Sequence, residues 1–95
     1  MAFKIIIYHE AIDDIQAAID YYNEQQSGLG KRFHTKVKST FKELKTNPFF
    51  QVRYDEVRCR LVNKFPYLVH FVVNEKEKTI AIYRLKHTSM NPEKK

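Results

Sequence analysis

The spacing of hydrophobic positions changes once along this chain, at Pro48. Before it, Ile12, Ile15, Ile19 and Tyr22 recur at intervals of three or four, and so do Leu29, Phe33, Val37, Phe41 and Leu44, which places each set on one face of a helix. The first helix is predicted from about Glu10 to near Gln26, with Asp13 and Asp14 near its N-terminus, where the helix dipole favours anions. Ser27-Gly28-Leu29-Gly30 supplies a glycine stop, and the second helix follows directly. It must end before Pro48, because proline disfavours helical geometry at Asn47 and brings no amide hydrogen. Ahead of both helices, the short β-branched and aromatic run Phe3-Lys4-Ile5-Ile6-Ile7-Tyr8 predicts a strand.

After Pro48 the period becomes two. Val57, Cys59 and Leu61 alternate with Arg58 and Arg60; Tyr67, Val69, Phe71 and Val73 alternate with Leu68, His70, Val72 and Asn74; Ala81, Tyr83 and Leu85 alternate with Ile80, Ile82, Arg84 and Lys86. Separators of hairpin length, 63–66 and 74–78, make these three strands an antiparallel meander. The predicted class is α+β with element order β-α-α-β-β-β, in two layers, because a helical hairpin with one apolar stripe per helix needs a sheet face to bury it. Strict alternation then turns Val57, Val69, Phe71, Val73, Ala81, Tyr83 and Leu85 to the helices. It sends Arg58, Arg60, His70, Arg84 and Lys86 to an open face, together with Val62, Leu68, Val72, Ile80 and Ile82. A face part cationic and part apolar suits docking to another macromolecule, while an ordinary solvated sheet face is the competing reading.

Ninety-five residues and 11.4 kDa are expected to form a single domain spanning residues 1–95, and 43% hydrophobic content excludes a disordered tail. A chain this short buries roughly 60–65% of its unfolded surface, so a covering partner would add to its stability. The net charge of +6 is unevenly spread: residues 1–30 hold one base and five acids, whereas 31–45 hold six bases against Glu43 alone. Such a basic excess attracts nucleic acid or an acidic protein segment. One cysteine, Cys59, excludes an internal disulfide, and no apolar run has signal-peptide or membrane-span length, so a cytoplasmic protein without membrane association is expected.

His9, His34, His70 and His87 lack metal-ligand spacing, so neither a metal nor another cofactor is expected. Gly28-Leu29-Gly30 lacks the other glycines and the Lys-Ser/Thr of a phosphate cradle, and it reads as a turn between helices. No nucleophile elbow or carboxylate pair for hydrolysis is present. Lys31, Lys38, Lys42 and Lys45 are compatible with a solvated helix face or with phosphate binding.

Ala11, Asp14-Ile15, Tyr21-Tyr22, Gly28-Leu29-Gly30, Phe33, Asn47-Pro48, Tyr54, Val57-Arg58, Phe65-Pro66-Tyr67, Val69, Phe71, Ile80, Ile82, Arg84 and His87 run through nearly the whole chain in an order that resembles the RelE/ParE superfamily of toxins, nearest its ParE-like, plasmid-stabilisation branch. The resemblance implies a helical hairpin on an antiparallel sheet and a growth-inhibiting toxin neutralised by a cognate antitoxin in a hetero-oligomer. It implies one of two targets, DNA gyrase in the ParE-like branch or ribosome-bound mRNA in the RelE-like branch. In the second case Arg58 or Arg60, together with Arg84, fall where the ribonuclease branch keeps basic catalytic residues, and His87 sits just past the last strand: arginine would stabilise phosphorane charge and histidine would move a proton. For antitoxin or target binding the expected residues are Arg60, His70, Val72, Ile80, Ile82, Arg84 and Lys86. The tail Met90–Lys95 departs from the RelE-like pattern in offering neither Tyr nor Arg, which favours the gyrase reading.

Overall fold

A computed structural model describes residues 3–89. Its elements are β1 (Lys4–Ile7), α1 (His9–Gln25), α2 (Leu29–Thr46), β2 (Val52–Tyr54), β3 (Val57–Leu61), β4 (Tyr67–Asn74) and β5 (Thr79–His87). They form one five-stranded sheet in the order β1-β5-β4-β3-β2, antiparallel except that β1 runs parallel to β5. The two-layer α+β class is as expected, with one strand more. Three residues of β2 are too few to show a period, and they pair with β3 through a tight turn in which Asp55 takes a left-handed φ of 48°. No helix among the described residues is long and apolar enough to cross a membrane.

The helical hairpin follows from its glycines. Gly28 sits at φ 86°, the left-handed region glycine enters without a Cβ penalty, and it stops α1 where Gln26 N–H bonds Tyr22 C=O. Gly30 serves a different purpose: its N–H donates to Asn23 Oδ1 at 2.9 Å, and a Cβ there would meet Ile19 C=O at 2.5 Å and Asn23 Cγ at 2.6 Å. The two helices therefore touch backbone to side chain at the turn. Along α2 the buried residues Gly30, Phe33, Val37, Thr40 and Leu44 step by three or four. In α1 the fully buried residues are Ala11 and Ala18, whose small side chains let the helix lie close on the sheet, while Ile12 is half exposed.

Phe33, Val37 and Leu44 meet Val69, Phe71, Ile80, Ile82 and Leu85 in the core, and Tyr22, Phe33, Phe65 and Tyr67 close one end as an edge-packed aromatic cluster. Each fully buried large apolar side chain contributes about 1.5–3 kcal/mol. Ile80 and Ile82 are 0% exposed, which corrects their expected place on the open face. The cause is a β-bulge: Phe71 pairs with Ile82 but His70 pairs with Arg84, so Tyr83 is an extra residue. Ile80 and Ile82 face inward before the bulge and Leu85 after it, a parity change that strict alternation cannot contain.

In β3 the expected parity is reversed outright. Arg58 pairs with Phe71 and Arg60 with Val69, so both arginines share the helix-side face, while Cys59 pairs with His70 and Leu61 with Leu68 on the open face. Near this edge Arg60 reaches Glu43 of α2 and Arg58 reaches Phe50 C=O, and on the other face Tyr54 folds over towards His70. Both arrangements depend on β2, which the period-two reading lacks.

The Gly30→Ala variant should lose about 1–3 kcal/mol in urea unfolding through overpacking at the hairpin. Gly28→Ala, with open space around its Cβ, should lose about 1–2 kcal/mol from backbone strain alone. A Gly30→Ala protein as stable as the parent would contradict the close helix approach.

Candidate functional site

Ending β1 at Ile7 leaves the far half of β5 unpaired on the edge away from β4, and α1 fills that place with one side chain. Asp14 lies between Ala11 and Ala18 on the sheet-facing stripe. Its Oδ2 accepts from Arg84 Nε at 2.6 Å and Leu85 N–H at 3.0 Å, and its Oδ1 accepts from Arg84 Nη2 at 3.1 Å. The carboxylate thus replaces a strand carbonyl for Leu85 and fixes the guanidinium that the bulge turns outward. This bond first, and Coulombic attraction to Asp14 after it, raises the Arg84 pKa.

The remaining arginines of interest are engaged elsewhere. Arg60 forms a two-point pair with Glu43 of α2, Nε to Oε1 at 3.1 Å and Nη2 to Oε2 at 2.9 Å, and stacks over Phe50. Arg58 Nη1 donates to Phe50 C=O at 2.7 Å. His87 is on the helix-side face, paired with Tyr67 at a ring separation of 5.3 Å, and its Nδ1 accepts from Ser89 N–H at 3.1 Å, which leaves the neutral ring's proton on Nε2. Arg58, Arg60 and His87 leave one side of the sheet and Arg84 the other, yet Arg84 bends to Asp14 so that it lines, with His87, Lys86, Tyr21 and Tyr67, one hollow of about 270 Å³. Arg58 and Arg60 stay outside it, so the four do not all converge. The tail Met90–Lys95 lies outside the described residues.

On the open face His70, Val72, Arg84 and Lys86 stand as expected, in cross-strand rows that join His70 to Cys59 and Arg84, and Lys86 to Leu68. His70 is nevertheless buried. Its Nδ1 is 2.9 Å from Tyr54 Oη, and its Nε2 has no hydrogen-bond partner among the described residues. Burial first, then Lys86, Arg84 and Arg53, push its pKa down to about 4, so the ring is neutral at pH 7. Tyr54 carries the matching effect: its phenol pKa is raised, mainly by burial.

A second surface was not expected. Two adjoining hollows of about 520 Å³ each share Ile7, Lys38 and Phe41; Ile5, Ile12, Ile15, Ile19 and Val37 add an aliphatic floor, and His34, Lys42 and Lys45 complete a basic rim. The lysines have the helical spacing visible in the sequence, but only the fold shows that an apolar groove runs beside them. Asp14 and Tyr54 were also missed as site residues. The signal for Asp14 is its spacing of three from Ala11 and four from Ala18, an acid on a stripe of buried small residues. Among the described residues no three His, Cys, Asp or Glu side chains come together in a metal-holding group.

The profile of the ParE toxin of the type II toxin–antitoxin system parDE matches residues 5–92. The fold is similar to the chromosomal ParDE system of P. aeruginosa, with TM-score 0.77 and 19% identity over 90% of this chain and 96% of that one. It is also similar to a free E. coli RelE mutant, with TM-score 0.71 and 10% identity over 96% and 88% of the two chains. A third similar structure is the M. tuberculosis RelBE2 toxin–antitoxin complex, with TM-score 0.65 and 15% identity over 92% and 99%. No curated protein is significantly similar to the chain in sequence.

Because folded His70 binds its proton only near pH 4 and an unfolded histidine binds it near 6.5, the unfolded state holds more protons between those values. Stability should therefore fall as pH drops from about 6.5 towards 4, by up to about 3 kcal/mol from this residue. Urea unfolding at pH 7 and pH 5 should show about 2 kcal/mol of that loss in the parent and less in His70→Gln. Equal losses would mean that His70 is solvated.

Proposed function

The chain belongs to the ParE toxin family of type II toxin–antitoxin systems, and from that premise we propose that it arrests growth by docking to DNA gyrase in the cytoplasm, and that a cognate antitoxin silences it. The observation that carries the choice of target is the separation of the basic residues. Phosphodiester cleavage needs cationic groups and a proton carrier around one phosphate. Arg58 and Arg60 lie on the opposite face from Arg84 and are held by Phe50 C=O and Glu43, so only one arginine, Arg84, shares a hollow with His87, whose ring packs against Tyr67. Docking asks for no such convergence; it asks for accessible surface, and Val72, Arg84 and Lys86 on the open face supply it.

The antitoxin contact follows from the groove. Its floor of Ile5, Ile7, Ile12 and Phe41 favours an apolar stripe, and its rim of Lys38, Lys42 and Lys45 favours acids, so the fitting partner is an acidic amphipathic segment. A second copy of this basic chain would bring lysine against lysine. The groove also accounts for the exposure of Ile7 and Ile12. It takes over the role first expected of Ile80 and Ile82, which are buried.

The test is a gyrase supercoiling assay run beside an mRNA-cleavage assay in translation extract. Inhibited supercoiling with intact mRNA is expected, and His87→Gln should change inhibition less than twofold. Ribosome-dependent cuts abolished by His87→Gln would overturn this reading in favour of mRNA cleavage. For the antitoxin, reversing two rim charges with Lys38→Glu and Lys42→Glu should weaken binding roughly 10- to 100-fold. Unchanged affinity would place the antitoxin elsewhere.

A further inference from the structure

The bulge in β5 turns a flat aromatic pair to solvent. Tyr83 is the extra residue, and its ring stacks on Tyr8 at a centroid separation of 4.5 Å and a tilt of 40°, with Tyr83 36% and Tyr8 43% exposed. The neighbouring Tyr8 side chain, ahead of burial, raises the Tyr83 pKa. Two exposed tyrosines packed ring against ring have already lost some of their rotamer freedom, so a planar ligand placed on them costs less further ordering.

Cations flank the pair on the same face. Arg84 is next in sequence, and Lys86 lies one cross-strand row further on. Arg84 is 44% exposed, and its pair with Asp14 uses Nε and Nη2 only, which leaves Nη1 to donate elsewhere. At His70, in the next row of the face, Lys86, Arg84 and Arg53 each oppose protonation while Asp14 favours it. Glu10 near Arg84 and Glu56 near Tyr83 bring acids to the same surface, so the phosphate contacts fall to the unshared Arg84 Nη1 and to Lys86.

We propose that this part of the open face binds single-stranded DNA, with bases stacking on Tyr83 and Tyr8 and backbone phosphates held by Arg84 and Lys86. An aromatic platform beside cations on a sheet suits nucleobases and phosphates, whereas the aliphatic groove across the molecule suits a peptide. The choice of DNA over RNA rests on the gyrase reading, since gyrase works on DNA; the platform itself does not depend on it.

The experiment is fluorescence anisotropy of the purified chain with labelled dT12, rU12 and a 12-base-pair duplex. Binding of dT12 at 50 mM salt is expected, tighter than the duplex, weakening roughly fivefold to tenfold at 200 mM as two phosphate contacts require. Tyr83→Ala should weaken it roughly 5- to 100-fold and Tyr83→Phe less than twofold, since the ring stacks and the hydroxyl does not. Lys86→Ala should cost several-fold, and Lys31→Ala, which removes the same charge from α2, should cost nothing. Absence of binding, or equal losses in Lys31→Ala and Lys86→Ala with Tyr83→Ala silent, would overturn the proposal. Preference for rU12 by more than tenfold would overturn the assignment to DNA. Inhibition of gyrase by a chain that binds no oligonucleotide would reject this inference and leave the gyrase reading standing.

Discussion

Asp14 is the joint on which the arrangement turns. A helix resting on a sheet through apolar side chains alone can slide, because hydrophobic contact has no direction. A carboxylate that accepts three hydrogen bonds from two consecutive residues of β5 gives the packing a register. It closes the part of the β5 edge that β1 does not reach, where Leu85 N–H would otherwise lack a protein partner. The Asp14 side chain is 18% exposed, so its bonds are partly sheltered from screening. Ala11 and Ala18 bring α1 near enough for so short an acid to reach. The bulge at Tyr83 supplies the other half, because unbroken alternation from inward-facing Ile82 would turn Arg84 into the core and Leu85 out of it.

From that joint come two surfaces of different chemistry. On one side of β1, Ile5 and Ile7 with the helices make an aliphatic groove under a lysine rim. On the other, Tyr8 and Tyr83 lie beside Arg84 and Lys86. One basic chain thereby offers one place shaped for an acidic protein and another shaped for a different ligand, and +6 of net charge draws both. A neutral histidine held below Tyr54 sits across from Arg84 on the same face as the tyrosine pair.

Both helices and the three longer C-terminal strands were legible as periods, and the class with them, because burial on one face imposes 3.6 or 2 on the sequence. Three things were not legible. The three residues of β2 are too few to display alternation, and losing them also lost the cover that lets Val57 and Cys59 be buried on the open face. A bulge breaks the period at one point, and a rule of strict alternation carried that break through Ile80 and Ile82 as a reversal. Arg58 and Arg60 look like exposed cations beside any sheet, and only their long-range partners, Phe50 and Glu43, show which side they occupy. The resemblance supplied by Gly28-Leu29-Gly30, Asn47-Pro48 and Phe65-Pro66-Tyr67 identified the superfamily, since turn chemistry is local. The sites depend on contacts across as many as 71 positions of chain, as from Asp14 to Leu85, which no local pattern records.

The most direct measurement of this account is a double-mutant cycle in urea unfolding with Asp14→Ala, Arg84→Ala and the pair. If Asp14 holds Arg84 as a structural element of the α1–β5 joint, the two losses should fall short of additivity by about 1–2 kcal/mol. Losses that add within about 0.5 kcal/mol would show that the two residues act independently, and that Arg84 is a free cation on the sheet face.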